Sequence, residues 1–118
     1  MRVIVAGAVA WSDSEPIRRE LARLPPGSTV IHGHSPGADA LAGRVAAELG
    51  LIVEPWRKDK TDYQRYQRGA WRGLNERMLA SGADLVLAFH PAIEESRGTK
   101  HLVELARAAG VEVRLFVE

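Results

Sequence analysis

Leu85-Val86-Leu87-Ala88-Phe89-His90-Pro91-Ala92-Ile93-Glu94-Glu95-Ser96-Arg97-Gly98-Thr99-Lys100 reads as a buried strand, a polar loop and the start of a helix. A short continuous apolar run bounded by turn residues fits a strand covered on both faces. A glycine at the loop–helix junction lets backbone N–H groups approach a ligand closely. The first turn of a helix leaves N–H groups without partners and carries a partial positive charge, which suits a phosphate. Arg97, Thr99 and Lys100 add side-chain donors beside Gly98. The same residues also serve simply to turn the chain and cap a helix. This stretch alone does not choose between the two.

The chain on either side repeats the alternation. Arg2 to Ala6 is a β-branched run and predicts a first strand. Ser12 with Glu15 predicts a capping box opening a helix over 13–24, which Pro25-Pro26-Gly27 stops. Thr29 to His32 is a second strand, followed by the loop Gly33–Asp39. Leu41, Val45 and Leu49 then share one face of a helix ended by Gly50. Leu51 to Glu54 is a third strand, and residues 56–68 lack clear periodicity and read as a long connection. Ala70, Leu74 and Met78 mark a third helix, and Asp84 to Phe89 forms the fourth strand. A fourth helix runs from Gly98 to Gly110, and Val111 to Val117 is the last strand.

This order predicts a single Rossmann-like, three-layer α/β domain over residues 1–118, with a five-stranded parallel sheet and four helices. With right-handed crossovers and strand order 3-2-1-4-5, strands one and four are neighbours at a topological switch point. The loops Gly7–Trp11 and His90–Thr99 then flank a crevice at the carboxyl edge, with Gly33–Asp39 next to them.

Composition narrows the function classes. The chain has 118 residues, 46% hydrophobic and 26% charged, with a net charge of +1 and no Cys. Disulfides, zinc–thiolate sites and thiol nucleophiles are excluded. No apolar run reaches the ~18 residues of a membrane span, and Met1–Gly7 is too short in its apolar part for a signal peptide. The expectation is a cytoplasmic protein with no membrane partner. G-x-x-x-x-G-K-[ST], G-x-G-x-x-G and H-E-x-x-H are all absent. Gly33-His34-Ser35-Pro36-Gly37 has the letters of G-x-S-x-G, but adjacent residues such as His34 and Ser35 rarely present the geometry of a nucleophile and its base. His32 and His34 flank Gly33, a spacing that is only a weak signal for two metal ligands, and no metal is assigned.

Charge is uneven along the chain. Residues 57–77 carry Arg57, Lys58, Lys60, Arg65, Arg68, Arg72 and Arg77 against Asp59, Asp62 and Glu76, a local +4 that leaves −3 elsewhere. Trp56, Tyr63, Tyr66 and Trp71 interleave with these bases. Such a mixture suits phosphates and stacked bases, and equally suits a solvated connection with aromatic anchors.

Four ordered segments carry a resemblance. They are Gly7…Trp11-Ser12-Asp13, His32-Gly33-His34-Ser35-Pro36-Gly37-Ala38-Asp39, Asn75-Glu76-Arg77-Met78-Leu79 and Phe89-His90-Pro91…Ser96-Arg97-Gly98-Thr99. In order and spacing the chain resembles the YspA/cpYpsA-related branch of the SLOG superfamily, and more distantly the LOG (lysine-decarboxylase-like) and DprA proteins. The resemblance implies a nucleotide or nucleotide-derived ligand of ADP-ribose, NAD or AMP type, bound by a sensor or ligand-processing module. No other cofactor is implied. Gly7, Trp11, Gly33, Gly37, Asp39, Asn75, Arg97, Gly98, Thr99 and Lys100 are the expected ligand contacts. Asn75 is also singled out because Asn is a poor helix former and a polar group among apolar neighbours needs a partner.

The chain departs from the family's patterns. Leu102 stands where the LOG enzymes carry a catalytic Glu in P-G-G-x-G-T-x-x-E. Glu104, two residues on, lies about 200° around the helix. No catalytic residue is assigned, and Asp39, Glu94, Glu95 and Glu104 remain the carboxylates from which an N-glycosidic nucleotide hydrolase would draw. Arginines usual to the family are missing where Ala8-Val9-Ala10, His34 to Pro36 and Leu74 stand, and Arg68, Arg72 and Arg97 are the replacements at hand. DprA-like binding of single-stranded nucleic acid through 57–77 ranks third, because the total charge is near neutral. A homo-oligomer is expected, with Trp56 or Trp71 at its interface.

Overall fold

Phe89 and the four residues before it are buried on both faces of the sheet, and the rest of the molecule is layered around them. The computed structural model describes residues 1–118. Five strands, β1 (Arg2–Gly7), β2 (Thr29–His32), β3 (Ile52–Pro55), β4 (Leu85–Phe89) and β5 (Glu112–Phe116), form one parallel sheet in the order β3-β2-β1-β4-β5. The predicted fold and strand order are therefore observed. β1 and β4 pair from Val3↔Leu85 to Gly7↔Phe89, so the two glycine-bearing loops leave the sheet side by side.

Side chains alternate along each strand, and two cores result. Val3, Val5, Leu85, Leu87 and Phe89 point to one face, where α1 (Ser14–Leu21) and α2 (Ala38–Glu48) cover them with Ile17, Leu21, Ala42 and Val45. Ile4, Ile31 and Val86 point to the other, under Leu74 and Met78 of α4 (Trp71–Ala80) and Leu102 and Ala106 of α5 (Gly98–Ala108). Leu102, at the LOG carboxylate position, is thus a core residue.

Two details differ from expectation. There are five α-helices, not four, because Lys60–Tyr66 in the supposed connection forms α3, followed by a 3-10 turn at Gln67–Gly69. This helix has no apolar stripe for a periodicity reading to find. It is started by Asp59, which accepts from the Asp62 N–H while Asp62 accepts from the Asp59 N–H, and it is held by the buried Asp62. At α1 the cap is Asp13, not Ser12: its carboxylate accepts from the Glu15 N–H at 3.0 Å. No helix is long and apolar enough to cross a membrane.

Candidate functional site

Three glycine-containing turns meet above the β1/β4 junction, and those at Gly7 and at Gly33–Gly37 are tight for a steric reason. A Cβ on Gly7 would strike the Phe89 carbonyl oxygen, and one on Gly37 would strike the carbonyls of Ala8 and Val9. Gly37 also has φ +79°, a conformation that residues with a side chain rarely adopt. The Ala8 carbonyl accepts from the N–H groups of Trp11 (3.2 Å) and Ala38 (3.1 Å), which ties the first loop to the start of α2. Gly33 leaves room for a carboxylate, since its Cβ would lie 2.9 Å from Asp39 Oδ2.

These turns floor a cleft of about 670 Å³, within the usual range for small-molecule sites. Gly7, Gly33, Asp39, Asn75, Gly98 and Thr99 all line it. The structure thus gathers six of the ten expected contacts from four separate segments. The other four lie elsewhere. Trp11 is in the core, edge-on to Phe89 at 5.7 Å, with its indole N–H donated to the Asp13 carbonyl at 2.7 Å. Gly37 is wedged beneath the first loop. Arg97 is exposed, and Lys100 pairs with Glu94 at 2.8 Å; neither lines the cleft.

Asp39 is the only carboxylate among the lining residues. Only 9% of it is exposed, and burial pushes its carboxyl up to about 6, against the smaller opposing effect of the Ser35 N–H at 3.3 Å. Glu94, Glu95 and Glu104 are exposed and outside the cleft. Asn75 is buried, and its amide N–H groups reach the Gly98 carbonyl (3.0 Å) and His101 Nδ1 (3.1 Å). It therefore holds the α4 face to the start of α5. An Nδ1 that accepts belongs to a neutral ring, and burial lowers the His101 pKa in the same direction. Ser96 caps α5 by accepting the Thr99 N–H at 3.1 Å.

Sequence reasoning missed the far wall. Arg57, Lys58, Tyr63 and Trp71, flagged only as members of a basic and aromatic stretch, line the cleft. Arg68, Arg72 and Arg97 do not. Arg72 instead lies over the Trp71 ring at 4.4 Å. The tryptophans expected at an interface are engaged within the chain. Trp56 donates to Glu54 at 2.9 Å and carries Arg77 over its ring at 5.4 Å, and Trp71 meets His101 edge-on at 5.3 Å. His32 packs against Gly43 of α2 while His34 faces the cleft, so the two do not converge, and no group of three or more metal-ligating side chains exists.

Fold and cleft together define a Rossmann-like α/β domain with its site at the carboxyl edge of the sheet, at the switch point between β1 and β4. The model of the YspA, cpYpsA-related SLOG family matches residues 1–63. The Gene 61 protein of Mycobacterium phage D29 is 34% identical over 122 residues, covering 98% of this chain and 95% of that protein. The chain belongs to the YspA, cpYpsA-related SLOG family. Among solved structures it is similar to DNA processing protein A (DprA) from Streptococcus pneumoniae, with a TM-score of 0.74 at 16% identity over 97% of this chain. The match spans 49% of the DprA chain, so this chain corresponds to about half of that protein. The C-terminal domain of a hydrogenase from Pyrococcus furiosus is similar at a TM-score of 0.52 and 18% identity, over 98% of this chain and 89% of that domain. At these identities the likeness is one of fold.

Proposed function

We propose that the protein binds a nucleotide or nucleotide-derived ligand, of AMP, ADP-ribose or NAD type, in the cleft at the carboxyl edge of its sheet. It acts there as a sensor or ligand-processing module. The observation that carries this reading is the pairing of the α5 start at Gly98-Thr99, which lines the cleft, with two cationic side chains against one carboxylate whose pKa is raised by burial. A helix N-terminus and a cationic wall favour an anion, and Tyr63, 52% exposed, offers a ring face for a planar base.

Gly98 supplies the test. Nothing lies within 4 Å of the position its Cβ would take, and its φ is not in the left-handed region. The empty protein therefore tolerates Ala there, whereas a phosphate against the backbone does not. Calorimetry with AMP and ADP-ribose should show saturable binding that Gly98→Ala weakens by about tenfold or more with unfolding unchanged. Absence of binding to any purine nucleotide rejects the proposal. Thr99 is a poorer probe, because it is buried and a bulkier residue there disturbs packing.

The hydrolase reading now rests on Asp39 alone, a carboxyl that titrates near neutrality and therefore both accepts and donates a proton there. Release of free adenine from AMP, abolished by Asp39→Asn, is its signature. AMP recovered intact at every pH excludes it.

A further inference from the structure

The cleft spans four strands, and its two ends are built differently. Gly98 and Thr99 stand beyond β4, and Arg57 and Lys58 follow β3. In the order β3-β2-β1-β4 these ends are three strand spacings apart, roughly 14 Å. A single phosphate does not bridge that distance.

The chain segment bearing Arg57 and Lys58 is held at several points. The Trp56 N–H extends the β3 ladder to the His32 carbonyl at 2.8 Å. Arg77 of α4 donates to the Arg57 carbonyl at 2.7 Å and to both oxygens of Asp62, at 3.0 and 2.6 Å, and lies 3.4 Å from Asp59. Of the carboxylates near in sequence to Arg57 and Lys58, Asp59 and Asp62 are thus engaged by Arg77 and Glu54 by Arg2. Neither Arg57 nor Lys58 makes an ion pair or a side-chain hydrogen bond of its own. Two unneutralised cations face the cleft from a fixed backbone, with the exposed ring of Tyr63 one turn into α3 beside them.

We infer that the loop between β3 and α3 is a second anion subsite, in which Arg57 and Lys58 take a phosphate at the opposite end of the cleft from Gly98 and Thr99. The ligand class is then one whose phosphates stand apart along a sugar–phosphate backbone, within a single strand or on the two sides of one nucleoside, the length of the Arg57 and Lys58 side chains making up the remaining distance in the second case. This rests on the nucleotide reading above and deepens it. A contiguous diphosphate gains less, because both of its charges fall at one end.

Titration calorimetry of the full chain with AMP, ADP, adenosine 3′,5′-bisphosphate and a short oligodeoxyadenylate tests it, on the unaltered protein and on a variant carrying Arg57→Gln with Lys58→Gln. Arg77 grips Arg57 through its backbone carbonyl, so the double variant should keep its thermal unfolding midpoint. The bisphosphate or the oligomer should bind roughly tenfold or more tighter than AMP, the gain expected of one added charge-assisted contact. The variant should bring that ligand down to about the AMP level, a loss several-fold larger than any it causes for AMP itself. Whichever of the two binds tighter identifies the source, free compound or strand. Equal affinity for AMP, bisphosphate and oligomer, or an equal loss for AMP and the doubly anionic ligand in the variant, overturns the subsite while nucleotide binding stands. Failure of the unaltered protein to bind any of the four overturns both.

Discussion

The two walls of the cleft are rigid for opposite reasons. On the β1, β2 and β4 side, backbone presses on backbone: Gly7 sits against the Phe89 carbonyl, Gly37 against those of Ala8 and Val9, and Ala8 bonds Ala38. On the side formed by residues 56–71, shape is set by side chains. Arg77 gathers Asp59, Asp62 and the Arg57 carbonyl from another part of the chain. The first wall admits almost no variation at Gly7 and Gly37. The second can present different charges as long as Arg77 and Asp62 remain.

That contrast can be broken by substitution. The largest effect is expected for Gly37→Ala, which combines a strained backbone with a collision against two carbonyls, and should cost about 4 kcal/mol in denaturant unfolding. A loss under about 1 kcal/mol would mean that the first wall yields as easily as the second.

Asp39 gives the next largest effect, and it runs the other way. Its carboxyl is raised from 3.8 to about 6, so the folded protein holds a proton that the unfolded chain has lost. Stability therefore falls as pH rises through that window, and the full cost of about 3 kcal/mol is present above it. Asp39→Asn should stabilise the protein by about that amount at neutral pH and leave it unchanged near pH 4. A pH-independent gain would show that shape, rather than charge, explains it.

Asp62→Asn attacks the second wall. The carboxylate is 3% exposed, and the Arg77 guanidinium holds its pKa below the usual range. Its stabilising contribution is therefore present at neutral pH and fades as pH falls through the depressed value. The variant should lose about 2 kcal/mol, with amide exchange rising in α3 while α2 stays protected. Uniform loss of protection would contradict separate support for the two walls.

Gln67→Gly is the smallest change. Gln67 has φ 53° and ψ −118° where the chain passes from α3 to the 3-10 turn. Glycine relieves that strain and should add about 1 kcal/mol, read as a higher midpoint of thermal unfolding. A lower midpoint would show that the Gln67 side chain does more than tolerate its backbone.

Legibility in the sequence followed the same division. Strand positions were readable because local patterns specify them, and β1 beside β4 followed from the expected strand order 3-2-1-4-5. Gly33, Asp39, Gly98 and Thr99, singled out through the family resemblance, all line the cleft. Trp11 and Gly37 were misplaced relative to the cleft. A motif shows that a residue is near a turn, not whether it lies above the turn or beneath it. α3 escaped because its stability comes from a cap and one buried ion pair rather than from an apolar stripe. The pair Asp59 and Asp62 was the one signal that could have revealed it.

By itself the sequence determined the alternation of strands and helices, the two covered faces of the sheet and the edge at which the cleft opens. Hydrophobic period and turn chemistry are local properties, and a parallel sheet has few ways to join them. Only the tertiary structure decided which cations face the cleft and which carboxylate stays within it. Arg57, Arg68, Arg72 and Arg97 are chemically alike in a list. Arg77 reaching across 15 residues to Asp62 places the first of them at the site. Asp39 keeps its proton to higher pH than an ordinary aspartate because the surrounding turns bury it, a consequence of segments that meet only when the sheet has formed.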